Sequence, residues 1–218
     1  MKTDKNNILR SDISWKNDTT PFSNEYGDVY FSAESGLYES QYNFIDSNNL
    51  QERFLTQDNF SIGETGFGTG LNFTLACKLW LKISPSSTHL FFTSFEKHPL
   101  PLDDFAQSAS NWPELTEAYK ELLPLYTELR PGNNILQLPQ LRTTLNIVIG
   151  DIRDTISSIE SSSIDCWFLD GFAPSLNPEM WSDTVINNIA RAAKKGSTFG
   201  TFTAAGNVRR SMLKHGFE

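Results

Sequence analysis

The sequence predicts an α/β fold built on a mainly parallel, doubly wound sheet, on three observations. Short apolar runs alternate with segments whose apolar residues recur at helical spacing. The turn-forming clusters between them, such as Ser84-Pro85-Ser86-Ser87 and Pro131-Gly132-Asn133-Asn134, join elements rather than domains. One junction, Gly66-Phe67-Gly68-Thr69-Gly70, leads from a strand-like run into a helical one through alternating glycines. Strand-helix alternation implies parallel pairing, because a parallel crossover must be long enough to hold a helix. The 218 residues suffice for one α/β domain with a full core. Residues 1–56 are expected to form an extension packed on a core of residues 57–218.

The extension carries Asp28-Val29-Tyr30-Phe31-Ser32, then Gly36, then the Tyr- and Phe-rich run from Tyr38 to Ile45, and reads as hairpin-bearing. The core then runs strand 60–62, helix 71–83, strand 89–95, a helical region over 102–129, strand 145–149 and a short helix over 155–159. Strand 165–169, helix 178–193, strand 198–202 and helix 206–215 complete it. The chain stops where a sheet of this kind would continue, so the expected sheet lacks its last two strands.

Composition excludes several classes. With 39% hydrophobic and 20% charged residues the chain is ordinary globular, and neither an eighteen-residue apolar run nor an apolar signal core at the N-terminus is present, so a cytoplasmic protein is expected. Cys77 and Cys166 have no metal or redox spacing and read as reduced core residues. His89, His98 and His215 show no metal spacing, and no metal is expected. A net charge of −8 is unpromising for a polyanion partner, yet residues 190–218 hold six basic side chains against one acid, Glu218. Arg209 and Arg210 in that stretch are candidates to approach RNA phosphates, against the plainer reading of a solvated helix face.

The glycine loop discriminates among nucleotide cofactors. Alternating glycines let the backbone turn sharply and approach a ligand. A dinucleotide fingerprint starting at Gly66 or Gly68 would need glycine at 71 or 73, where Leu71 and Phe73 stand, and no phosphate-loop lysine follows Gly70. What remains, an acid at Glu64 followed by G-x-G-x-G, is the pattern of S-adenosylmethionine-dependent methyltransferases. That cofactor has no phosphate and carries a sulfonium and an ammonium, which a carboxylate suits.

Ligands of parallel sheets bind beyond the carboxyl ends of the strands, and an acid follows each apolar run there: Glu64, Glu96, Asp151 and Asp170. Glu96 can accept from both ribose hydroxyls and Asp151 from the adenine amino group, while Glu64 and Asp170 would face the methionyl ammonium and the sulfonium, directly or through water. Helix N-capping is the competing use of Glu96 or Asp151 taken singly. Asp170-Gly171-Phe172-Ala173-Pro174 is similar to the Asp-Pro-Pro-Tyr type loop of methyltransferases acting on exocyclic amines, with Gly and Ala as departures. A protonated amine has no lone pair to offer, so a carboxylate that accepts or orients its proton is what amine methylation requires, while Phe172 can pack on a base.

Residues 63–73, Gly63-Glu64-Thr65-Gly66-Phe67-Gly68-Thr69-Gly70-Leu71-Asn72-Phe73, resemble the cofactor loop of the tRNA 5-methylaminomethyl-2-thiouridine methyltransferases, the amine-methylating half of MnmC-type enzymes. Residues 28–32, 94–97, 111–115, 165–174 and 201–210 resemble the same family. The resemblance implies a Rossmann-like class I methyltransferase fold, S-adenosylmethionine as cofactor, and methylation of the aminomethyl group on a wobble uridine of tRNA. It also implies Asp170 as the base or orienting residue, and an FAD-dependent oxidase, fused or separate, that supplies the amine. The expected cofactor set is Glu64, Gly66, Phe67, Gly68, Gly70, Asn72, Glu96, Lys97, Asp151, Ile152 and Asp170; the expected substrate set is Tyr30, Phe172, Pro174, Arg209 and Arg210. Tyr30, Phe31 and Tyr42 read more readily as core than as stacking residues. Alternatives are a non-catalytic nucleoside-binding or assembly module, and a dinucleotide-dependent oxidoreductase.

Overall fold

The computed structural model describes residues 2–218. Short strands β1 (Lys2–Thr3) and β2 (Leu9–Arg10) pair antiparallel, and β3 (Ile13–Lys16), β4 (Thr20–Ser23) and β5 (Asp28–Val29) form a three-stranded antiparallel meander. Helix α1 (Gly36–Ser40) runs into a π-helical stretch, Gln41–Asp46, followed by α2 (Leu50–Thr56). The core holds β6 (Asn59–Glu64), α3 (Leu71–Ile83), β7 (His89–Glu96), α4 (Leu102–Ser110), α5 (Thr116–Tyr126), β8 (Gly132–Leu138) and β9 (Thr143–Ile149). It ends with α6 (Ile152–Thr155), β10 (Ile164–Leu169), α7 (Asp183–Ala192), β11 (Ala193–Thr201) and α8 (Gly206–Lys214).

Six strands form the central sheet in the order β11-β10-β6-β7-β9-β8, all parallel except β8, which runs antiparallel to β9. The mainly parallel, doubly wound sheet and the N-terminal hairpin sheet are therefore as expected. The chain moves outward from β6 to β7 and β9, then returns to the other side of β6 to lay down β10 and β11. The crevice where the order reverses, between the carboxyl ends of β6 and β10, is where an open α/β sheet binds its ligand.

Two apolar layers hold the sheet. One face packs Phe60, Phe92 and Phe168 against α3 and α5 through Phe73, Trp80 and Tyr119; the other packs Trp167 and Val148 against α7 and α8 through Val185, Ile189 and Met212. Each such large side chain, nearly fully buried, contributes about 1.5–3 kcal/mol. Gly63 on β6 is required by contact: a Cβ there would lie 2.6 Å from the Trp167 ring. Helix α3 starts where Gly70 adopts a left-handed φ of +73° and stops at Ser84, because Pro85 disfavours helical backbone in the residue before it. Trp112, Trp167 and Trp181 are buried, and Cys77 and Cys166 are free and buried, as the sequence suggests.

The structure corrects three expectations. Residues 38–45 are helical rather than hairpin; their aromatic content suggests strand, but Phe44 and Ile45 face the core at helical spacing while Tyr38 and Tyr42, one turn apart, face solvent. The Pro131–Asn134 cluster is not only a turn: Gly132, at φ +85°, opens edge strand β8, whose exposed Asn133, Ile135 and Gln137 alternate with half-buried partners. The helical region 102–129 breaks at Trp112, held extended by Pro113, and the one at 178–193 is a 3-10 turn (Pro178–Trp181) followed by α7. No helix among the described residues is long and apolar enough to cross a membrane.

Candidate active site

The carboxyl ends of β6, β7, β9 and β10 open into a cavity of about 420 Å³, within the range of small-molecule sites. The loop after β6 is fixed almost entirely by main-chain contacts. Thr65 N donates to Phe168 O (3.1 Å), Phe67 N to Phe95 O (2.9 Å) and Gly70 N to Phe67 O (2.8 Å), while Thr65 Oγ1 donates to Asp170 O (2.5 Å). Gly66 sits against the β10 loop so closely that a Cβ would lie 3.1 Å from Asp170 O. Gly68 has φ +52°. The Phe67 ring is 3% exposed and packs against Phe73 and Phe105, so that residue anchors the loop in the core.

Beneath this loop lies a buried polar network. Asn72, in the first turn of α3, donates through Nδ2 to both Glu64 Oε1 (3.0 Å) and Asp170 Oδ2 (2.6 Å). Ser94 Oγ donates to Glu64 Oε2 (2.7 Å), and Gly171 N donates to Asp170 Oδ1 (2.8 Å). Burial pushes Glu64 well above the ordinary carboxylate range, and the neighbouring Asp170 charge pushes it further. Burial raises Asp170 to about 6, against the opposing pull of its two amide donors. Glu64 is 1% exposed and stands behind the cavity wall, whereas Asn72 and Asp170 line it. Asn72 Oδ1 is buried without a hydrogen-bond partner among the described residues.

Glu96 closes β7. Its Oε2 accepts from Gly68 N and its Oε1 from His98 N, both at 2.8 Å, and burial holds its pKa up despite these donors. Asp151 is the N-cap of α6: its Oδ1 accepts from Arg153 N and Nε at 3.0 Å and its Oδ2 from an Arg153 terminal nitrogen at 2.7 Å, with Lys97 Nζ at 3.2 Å. The Arg153 contact holds Asp151 well below the usual carboxylate range. Lys97 and Ile152 both line the cavity.

The N-terminal meander supplies the opposite wall. Tyr26 stacks on Phe172 (centroids 4.6 Å, 21°), Tyr30 meets the same ring edge-on at 5.1 Å, and Ala173 N donates to Asp28 Oδ2 at 3.3 Å. Burial, with the acids Glu25 and Glu96 nearby, raises the Tyr26 phenol to about 12. Of the expected substrate residues, Tyr30 and Phe172 thus meet at the cavity, while Pro174 stands outside its lining and Arg209 and Arg210 lie exposed on α8. Gly70 also stands outside the lining, capping α3. Sequence reasoning missed Ser94, Tyr26 and the tie from Asp28. Ser94 and Asp28 left a trace, each inside a stretch that resembles the family, residues 94–97 and 28–32; Tyr26 left none.

The pieces fit S-adenosylmethionine. An orphaned buried acceptor, Asn72 Oδ1, suits an ammonium; acids ring a small cavity; and a glycine occupies the point where a side chain would meet the opposite loop. The comparisons with known proteins agree. A family model described as S-adenosyl-L-methionine-dependent methyltransferase matches residues 113–218. Over those residues the chain is similar to the S-adenosyl-L-methionine-dependent methyltransferases.

The chain is similar over nearly its whole length to the tRNA 5-methylaminomethyl-2-thiouridine biosynthesis bifunctional protein MnmC. It is 44% identical to the protein of Methylobacillus flagellatus over 96% of this chain and 32% of that protein, and 44% identical to that of Aliivibrio fischeri over 98% and 33%. It therefore spans about a third of the length of these relatives. Among solved structures, MnmC2 from Aquifex aeolicus superposes with a TM-score of 0.73 at 26% identity, over 96% of this chain and 65% of that one.

Proposed function

We propose that this chain methylates the amine of a 5-aminomethyl group on a wobble uridine of tRNA, in the cytoplasm, with an FAD-dependent oxidase supplying that amine. The carrying observation is the Glu64–Asn72–Asp170 network, which puts one carboxylate of raised pKa at the cavity wall beside the glycine loop. Residues 1–56 act as an extension that walls the substrate side of a core formed by residues 57–218.

S-adenosylmethionine supplies an electrophilic methyl group when bound. Glu96 would hold the ribose hydroxyls with the acceptor capacity its two backbone donors leave free, and Asp151, Ile152 and Lys97 would surround the adenine. Gly66 and Gly68 let the backbone come close, and Asn72 Oδ1 would accept from the methionyl ammonium, with Glu64 as the buried acid behind it. Asp170 accepts a hydrogen bond from the substrate ammonium and takes its proton. A carboxylate raised to about 6 is a better base than a surface acid and is still ionised at neutral pH. Tyr30 and Phe172 would shield the reacting base from water.

The test is methyl transfer from labelled S-adenosylmethionine to tRNA carrying the unmethylated aminomethyl group, with nucleoside analysis of the product. Label at that nucleoside is expected, and its absence, with cofactor binding intact, would leave a nucleoside-binding module. Arg209 and Arg210 would approach tRNA phosphates. Reversing both charges should lower tRNA affinity and reduce its salt slope by roughly two, leaving turnover at saturating tRNA unchanged; an unaltered slope would remove them from the interface.

A further inference from the structure

The outer face of the segment 36–46 carries a feature that neither the cofactor site nor the core explains. Tyr38 and Tyr42 are 72% and 62% exposed, and their rings stand nearly parallel at 14° with centroids 6.4 Å apart. That separation is at the wide end for a direct aromatic pair, and with both rings mostly exposed their π-faces are open to a further planar ring. The opposite face of the same segment walls the cavity through Gly36, Ser40 and Asn43. The phenylalanine that follows β11, Phe202, is 41% exposed and lines the same cavity. The two tyrosines therefore sit on the outside of the wall whose inside faces the reacting groups.

Resting on the reading of this chain as a tRNA methyltransferase, we propose that Tyr38 and Tyr42 form a stacking platform for an unpaired base neighbouring the reacting nucleotide. Single-stranded loops are recognised by splaying bases onto aromatic rings, and such contacts tolerate any base because every base has a π-face. Charge on the segment supports a base rather than a backbone contact. Glu34, Glu39 and Asp46 repel phosphates, and Asp46 and Glu39 are already engaged by Gln41 Nε2 (2.7 Å) and Ser35 Oγ (2.5 Å). The phosphates would instead run over basic surface elsewhere, and the platform would fix the register of the loop.

The test compares two acceptors: tRNA carrying the aminomethyl group, and the free 5-aminomethyl-2-thiouridine nucleoside, which has no neighbouring base. Y38A/Y42A should raise KM for tRNA about tenfold at unchanged kcat, leave kcat/KM for the nucleoside and adenosylhomocysteine affinity unchanged, and leave the salt slope of tRNA binding as it was. Y38W/Y42W should keep the wild-type KM. Equal losses on both acceptors, or no change in KM for tRNA, would overturn the platform. So would sedimentation showing that Y38A/Y42A merely dissolves a dimer of the wild-type chain. Wild-type protein inactive on both acceptors would take down the methylation reading and the platform with it; activity on both with no effect of the tyrosines removes the platform alone.

Discussion

Asp151 and Asp170 occupy equivalent places, each just after a parallel strand that ends at the cavity, yet their surroundings give them opposite characters. Asp151 accepts from a guanidinium and lies beside an ammonium, so its charge is fixed at any pH near neutral. Asp170 accepts only from neutral amides, Asn72 Nδ2 and Gly171 N, and its pKa stays raised. An amide donor orients a carboxylate without stripping its affinity for a proton, whereas a cation removes that affinity. On the proposed reading, the rim holds one anion for binding and another for proton handling.

Removing the proton-handling partner should produce the largest effect. Asp170→Asn keeps the shape and is expected to lower kcat by about 10²–10⁴, the range of a lost general base, while adenosylhomocysteine binds within about tenfold of wild type by calorimetry. A loss confined to cofactor affinity would assign Asp170 to binding instead. Asn72→Leu attacks the bridge between the two buried acids. It leaves Glu64 and Asp170 facing each other without their shared donor and should cost about 1–3 kcal/mol in urea unfolding at pH 7. Unchanged stability there would mean that the network does not bear on the fold.

Asp151→Ala, which removes an N-cap, should cost only about 1 kcal/mol. The two aspartates also differ in the sign of their pH dependence. Asp170 has a raised folded pKa, so the stability it contributes is present below its ordinary value of 3.8 and is lost as pH rises through about 6. Asp151 has a depressed one, so its contribution is present above 3.8 and is lost as pH falls through the lowered value. Between pH 4 and 6 the Asp170→Asn protein should therefore gain stability relative to wild type, while the deficit of Asp151→Ala stays constant. Parallel curves for the two variants would erase the distinction.

The sheet and the loop were legible in the sequence for a physical reason: parallel buried strands are short apolar runs, and the turn at the switch point needs glycines at 66, 68 and 70. Helix 71–83 could be read to the residue because Gly70 and Pro85 bracket it. The extension was misread where aromatic content competed with periodicity at 38–45, and β8 where Gly132-Asn133-Asn134 looked like a turn and proved an edge strand. The four acids were visible at their strand ends. What separates them was not, because the donor that ties Glu64 to Asp170 comes from Asn72, eight and ninety-eight residues away, and pKa follows from that packing.

The claim that Asp170 handles the substrate proton is tested most directly by single-turnover methyl transfer to aminomethyl-tRNA, measured against pH in the wild type and in Asp170→Asn. The wild-type rate is expected to rise about tenfold per pH unit below a midpoint near 6 and then level, with that limb absent and the rate far lower in the variant. Matching profiles at matching rates would contradict it.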